Sequence, residues 1–174
     1  RGAGPLIRRD FALDDVELEG EVRLDGGGFL YVILRSGIVV KFHGDTPGDH
    51  AGMVTAKFGF DNLRVVDAFC KEKVLINGQW FRFRVRLVGE QLTVIVGEET
   101  LIDTPITQGI MGKVTDVPRV GHVGFGSFHA SGSFRNMTVR ALTPFGRNEL
   151  PRFLQQAAFV GDGAPVKLLE LPPE

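Results

Sequence analysis

The sequence predicts an all-β protein, a jelly-roll sandwich of two antiparallel sheets, and three observations carry that expectation. In residues 80–97, Phe81, Phe83, Val85 and Leu87 alternate with Arg82, Arg84 and Arg86. Gly89 and Glu90 then reverse the chain, and Leu92, Val94 and Val96 resume the alternation. A period of two around a glycine turn describes a β-hairpin with one apolar and one charged face. Such a hairpin cannot bury its apolar face alone, so a second sheet must cover it. The remaining observation is compositional: 23 glycines spread between short apolar runs suit many turns and few helices.

Taken from the N-terminus, residues 1–5 read as a linking end. A first strand is expected over 6–13 and a clearer one over 16–24. There Val16, Leu18, Gly20, Val22 and Leu24 share one face, and Glu17, Glu19, Glu21 and Arg23 share the other. This acidic row complements Arg82, Arg84 and Arg86 if the two strands are neighbours, with modest cross-strand pairs. Residues 25–28 read as a glycine-rich turn, and 29–35 as a strand so apolar that both its faces should be buried. Ser36 and Gly37 turn the chain into a strand over 38–43, and residues 44–52 form a loop. Strands follow over 53–60 and 63–69, about a turn at Asp61 and Asn62, and the tight turn at Asn77 and Gly78 leads into the hairpin. An edge strand is expected over 98–103. Residues 104–119 lack periodicity, and a loop of that length in a compact domain is more often functional than merely connecting. Residues 120–129 and 133–142 read as two final strands separated by Ala130, Ser131 and Gly132, for about ten to twelve strands in all. Asn148 suits the N-cap of a helix over 149–160 that stops at Gly161, and 166–171 should be extended. The sandwich is thus expected over 6–145, with 146–174 packing on it or on a partner.

With 20 basic and 21 acidic residues the formal net charge is -1, so the balance recruits neither nucleic acid nor an anionic membrane. No apolar run approaches the ~20 residues of a membrane span, and no signal peptide is visible. The chain begins at Arg1 rather than Met, as expected of a domain or mature fragment of a longer protein, with an extracytoplasmic or surface setting favoured. Cys70 is the only cysteine, which excludes an intrachain disulfide, and it is expected to be a small buried hydrophobe. The G-x-S-x-G, P-loop and G-x-G-x-x-G patterns are absent, which removes nucleophile-elbow and phosphate-binding signatures. His122 and His129 differ in strand parity and share no metal site unless a bulge intervenes. His43 and His50 flank the 44–52 loop with Asp45 and Asp49, making it a weak candidate for a cation such as calcium; no other cofactor is expected. Asn136-Met137-Thr138 matches a glycosylation sequon, but it falls within a strand, so Asn136 is expected to be structural, at a bulge. Trp80 is the first candidate for stacking on a sugar, because an aromatic face suits the apolar side of a pyranose, and Tyr31 is the second.

Residues 120–126, followed after a short turn by 133–140, resemble the last two strands of concanavalin A-like (LamG) sandwich domains. The greatest similarity is to the 3-keto-disaccharide hydrolase family, whose members often end in a G-x-I-G-L strand followed by F-R-N-I-x-V. Asp10-Phe11-Ala12-Leu13, the Trp-led strand and the L-x-V-x-V strand follow in the matching order, so the resemblance spans residues 6–142. In that family the strand after the glycine turn tends to read G-I-F-L-R, and a later segment carries an acid within G-x-E-x-Q. Here Val32 and Val39 fall at those two positions. The resemblance therefore implies the fold without the hydrolase face. The expected function is that of a non-catalytic carbohydrate-binding or accessory module of a larger protein, partnered by a glycan or by neighbouring domains. The ligand is expected on the concave sheet and the rim loops 43–52 and 104–119. Trp80, Tyr31, His43, His50 and Arg119 are the ligand-binding candidates, and no catalytic residue is expected. The rivals are a glycoside hydrolase of the resembled family, which needs two acids converging in one cleft, and a structural or protein-interaction domain that docks through its C-terminal helix.

Overall fold

The computed structural model describes residues 6–58, 68–106 and 120–142, with side chains from Leu13 onward. The described strands are β1 (Leu6–Leu13), β2 (Val16–Leu34), β3 (Ile38–His43), β4 (Val54–Phe58), β5 (Ala68–Phe69), β6 (Phe81–Val88), β7 (Gln91–Val96), β8 (Glu99–Pro105) and β9 (Gly121–Ala141). Every pairing is antiparallel. The first half of β2 pairs with β6, Val16 opposite Leu87 through Val22 opposite Phe81. Its second half pairs with β3, Phe29 opposite His43 through Leu34 opposite Ile38. β9 accompanies β2 along both halves. One layer therefore runs β5-β4-β3-β2-β9-β1 and the other β9-β2-β6-β7-β8, with β5 and β8 approaching each other so that the sheet nearly closes. This is the jelly-roll sandwich that the sequence predicts. The helix expected over 149–160, the extended segment at 166–171 and residues 107–119 of the loop expected over 104–119 lie outside the described residues, while Thr104 and Pro105 of that loop continue β8.

The structure corrects two of the expected strand divisions. Residues 16–35 and 120–142 do not each split into two strands, because the presumed turns pair with one another: Gly26 lies opposite Ser131 and Gly27 opposite Ala130. Gly27 has φ +71, and a Cβ on Gly28 would overlap the Phe128 carbonyl oxygen. Glycine at both positions lets the two backbones bend together at close approach. Each long strand thus passes through the bend and serves both layers. The strand count among the described residues is nine, below the ten to twelve expected. The β2–β3 turn also sits one residue earlier than expected, on Arg35 (φ 47) and Ser36 (φ 56).

Between the layers the alternation becomes a core. Val16, Leu18, Val22 and Leu24 of β2 meet Val40 and Phe42 of β3, Phe83, Val85 and Leu87 of β6, and Leu92 and Val94 of β7, all buried. Phe42 and Phe83 touch across the interior with ring centroids 4.8 Å apart. In the second half of β2 only Leu30, Val32 and Leu34 point inward. Phe29, Tyr31 and Ile33 are only half-buried, so the expectation that this strand is buried on both faces is corrected: its outer face is open.

Two polar features hold the ends and edges. Arg35, 3% exposed, donates from Nε to the Asp14 carbonyl oxygen (2.7 Å) and from a terminal nitrogen to that of Gly89 (2.6 Å). Its other terminal nitrogen lies 3.0 Å from the Asp14 carboxylate and 3.1 Å from that of Asp15. One buried guanidinium thereby ties together the β1–β2, β2–β3 and β6–β7 turns, which compensates its desolvation. On β9, Glu19 faces Thr138 and Glu21 faces Arg135, so Asn136 and Met137 together oppose Gly20. Asn136 has φ 53, which makes it the bulge residue, as its sequence position implies. Cys70 is buried, accepting a hydrogen bond from the Val54 amide at 2.9 Å, and burial pushes its thiol pKa up.

Candidate functional site

The two layers present outer faces of opposite character. On the β9-β2-β6 side, Glu17, Glu19 and Glu21 stand opposite Arg86, Arg84 and Arg82, and opposite Arg140, Thr138 and Arg135 on the other flank. The acidic row is therefore enclosed by arginines, as the complementary sequence rows imply. Arg84 Nε reaches Glu19 at 2.6 Å and Arg140 reaches Glu17 at 3.4 Å, while Arg135 pairs with Glu21. The Glu19 side chain is 13% exposed against 70% for its neighbour Arg82, so the glutamates lie beneath a layer of guanidinium groups. Burial pushes the Glu19 carboxyl up, but the Arg84 hydrogen bond and the charges of Arg84, Arg140 and Arg82 outweigh it and hold the pKa below the usual value.

Trp80 belongs to this charged face. Its ring centroid lies 4.0 Å from the Arg135 guanidinium carbon and 5.1 Å from that of Arg23. Two guanidinium groups thus flank the half-buried ring that the sequence nominates first for sugar stacking. The same layer carries a shallow depression of about 280 Å³ lined by Arg86, Val88, Gln91 and Thr93. No aromatic ring lines it, so it offers no stacking surface.

The opposite layer exposes rings. Phe29 and Tyr31 of β2 lie opposite His43 and Lys41 of β3, and on the other flank opposite Phe128 and Gly126 of β9. Strict alternation puts all six on the side away from the core. Phe29 and Phe128 stack with centroids 5.2 Å apart and an interplanar angle of 20°. Tyr31 lies 6.0 Å from Phe29, and its ring covers Gly126, where a Cβ would come within 2.5 Å of it. Lys41 Nζ stands 4.7 Å from the Phe29 centroid. The His43 ring sits 5.2 Å from Phe29 and 5.3 Å from His50, and His43 Nε2 and Thr55 Oγ1 are hydrogen-bonded at 2.9 Å. Burial first, and then the charges of His50 and Lys41, lower the His43 pKa to about 4; its imidazole is therefore neutral at pH 7 and can donate or accept.

The rim loop is pinned to the glycine bend. Thr46 Oγ1 accepts from the Gly27 amide at 3.2 Å and from the Asn77 side-chain amide at 3.5 Å. Asn77 Oδ1 accepts from the Asp45 amide at 3.3 Å. His50 is tied to the end of β3 through Met53, whose amide donates to the His50 carbonyl oxygen and whose carbonyl oxygen accepts from the His43 amide, each at 3.0 Å. Asp45 and Asp49 do not complete a ligand set with them: among the described residues no group of three or more His, Cys, Asp or Glu is placed to hold a metal ion.

Of the residues the sequence nominates, the structure brings together Tyr31, His43 and His50, puts Trp80 on the other layer, and leaves Arg119 outside the described residues. Phe29, Lys41 and Phe128 escape the sequence reading. Their signal is one of parity: Phe29 and Lys41 share a face with Tyr31 and His43, and Gly124, Gly126 and Phe128 alternate with the inward Val123 and Phe125.

No protein-family model matches the chain, and no curated protein matches it significantly. The narrower resemblance to 3-keto-disaccharide hydrolases thus has no family match behind it. Solved structures share the fold. Carbohydrate-binding module CBM66 from Bacillus subtilis aligns with a TM-score of 0.61 at 17% identity, covering 81% of this chain and 84% of that one. A Parabacteroides distasonis protein provisionally described as a glycosyl hydrolase aligns with a TM-score of 0.56 at 18% identity, over 76% and 80% of the two chains. Chicken galectin 2 aligns with a TM-score of 0.53 at 9% identity, over 80% and 100%. At these identities the likeness is one of architecture.

Proposed function

We propose that this domain is a non-catalytic glycan-binding module, an accessory part of a longer extracytoplasmic protein, and that the sugar lies on the outer face of the β5-β4-β3-β2-β9-β1 layer. The observation that carries the reading is the Phe29–Phe128 ring pair, with Phe128 54% exposed. An exposed ring backed by half-buried ones on one sheet face leaves apolar surface in water, and the C–H-rich side of a sugar ring is a suitable cover for it. The Tyr31 hydroxyl, the Lys41 amine and the imidazoles of His43 and His50 surround the rings with donors and acceptors for sugar hydroxyls. The fold neighbours support the same reading, since one is a carbohydrate-binding module and another a galectin.

Cleavage of a glycosidic bond needs two carboxyl groups facing each other, about 5 to 9.5 Å apart across the sugar. Among the described side chains of β3, β4, the second half of β2 and the first half of β9, the outer face carries no carboxylate, which favours binding over hydrolysis. The test is a glycan-panel screen of the domain beside its Phe128→Ala and Trp80→Ala variants. Phe128 is exposed, so its truncation should leave the fold intact and weaken binding roughly tenfold, whereas Trp80→Ala should bind as the parent does. Binding lost only with Trp80 would overturn the assignment of the face.

A further inference from the structure

Around the rings the described charge is one-sided. The ionisable side chains described there are Tyr31 in the second half of β2, Lys41 and His43 on β3, Lys57 on β4, and His122 and His129 on β9, the last with its ring 4.3 Å from that of Phe128, and none of these is acidic. Acidic residues are not scarce, at 21 against 20 basic ones in the chain. They are placed elsewhere: the opposite layer matches glutamates to arginines row by row, and Asp45 and Asp49 are exposed on the rim loop. Lys41 is the cation beside the rings. It lies opposite Tyr31 on one side and Thr55 on the other, half-buried, with its amine against the Phe29 ring. Burial, and then the like charge of Lys57, lower its pKa, so its environment disfavours the ammonium it carries at neutral pH. No carboxylate among the described residues is paired with it.

A cation in that position would be stabilised by an anion brought within hydrogen-bond reach. The geometry fits neighbouring residues of a short glycan. Lys41 on β3 and Phe128 on β9 flank Phe29 on β2, the amine 4.7 Å from the Phe29 centroid and the Phe128 ring 5.2 Å from it, so a sugar ring packed on Phe128 and an anionic group at Lys41 fall within reach of one oligosaccharide. Resting on the glycan-binding reading above, we propose that the ligand is an acidic glycan, with Lys41 pairing its carboxylate or sulfate while a sugar ring packs on Phe128. The charge serves as the specificity determinant and the ring pair as the platform.

The test uses matched pairs of probes on the full chain: oligogalacturonate, alginate and hyaluronan oligosaccharides, each beside its methyl-ester form, with heparin and desulfated heparin as the sulfate arm. The expected result is tighter binding of an acidic member than of its neutralised partner, by about tenfold at low salt and less at 0.5 M salt. Lys41→Gln should remove that preference while leaving weak binding of the ester, and Lys41→Arg should keep it. Preference confined to heparin over its desulfated form would assign the anion to sulfate, and preference confined to the uronates would assign it to carboxylate; either supports the proposal. Equal binding of charged and neutralised partners would overturn it and leave the glycan-binding reading standing. Binding of neutral glycans alone would do the same, whereas no binding to any panel glycan would overturn both.

Discussion

His43 illustrates how a residue acquires its chemistry from its neighbours. On the sequence it is one of two histidines flanking a loop. In the fold it is half-buried between Phe29 and His50 and bonded to Thr55, and burial with nearby positive charge holds its pKa at about 4. A histidine in an unfolded chain titrates near 6.5, so between the two values the unfolded state binds more protons than the folded one. Stability should therefore fall as pH drops from about 6.5 through 4. Thermal melts across that range should show the loss in the parent and a smaller loss in His43→Gln. Equal slopes in the two would mean that His43 is not held neutral. The aromatic residues show the limit of reading one residue at a time. Trp80 has the largest ring, yet it is half-buried with Arg135 and Arg23 packed against it; Phe128 looks ordinary on the sequence and is 54% exposed. Nothing local in the sequence distinguishes a covered ring from an open one, because the covering groups arrive from other strands.

At the scale of elements, alternation was the reliable signal and glycine the ambiguous one. The hairpin of β6 and β7, the inward face of β2 and the match between its glutamates and the arginines of β6 all follow from a period of two. The long strands β2 and β9 did not follow, because a glycine-rich stretch turns or merely bends according to what lies beside it, and here each stretch pairs with the other. The bulge on β9 was legible because asparagine is one of the few residues that accepts a left-handed backbone. Asn136→Val should accordingly cost about 1–2 kcal/mol in urea denaturation, and Asn136→Gly far less. If valine is tolerated as well as glycine, the left-handed conformation at residue 136 is not what holds the bulge.

For the whole molecule, the architecture was legible because two amphipathic faces must meet, and a jelly roll is one of the few ways to close them. The assignment of the outer faces was legible only in part. Alternation matched Glu17, Glu19 and Glu21 to the arginines of β6, but only the sheet order adds Arg135 and Arg140 of β9 to them and shows that Phe29 and Tyr31 look out among histidine, lysine and glycine. The functional reading turns on that division of one sandwich into a salt-bridged face and an aromatic face. The most direct test is an NMR titration of the isotope-labelled domain with the best-binding glycan of the panel. The account predicts shifts concentrated at Phe29, Tyr31, Lys41, His43, His50 and Phe128, with the Trp80 indole unmoved. Shifts concentrated instead at Trp80, Arg135 and the Glu–Arg rows would contradict it and move the site to the other layer.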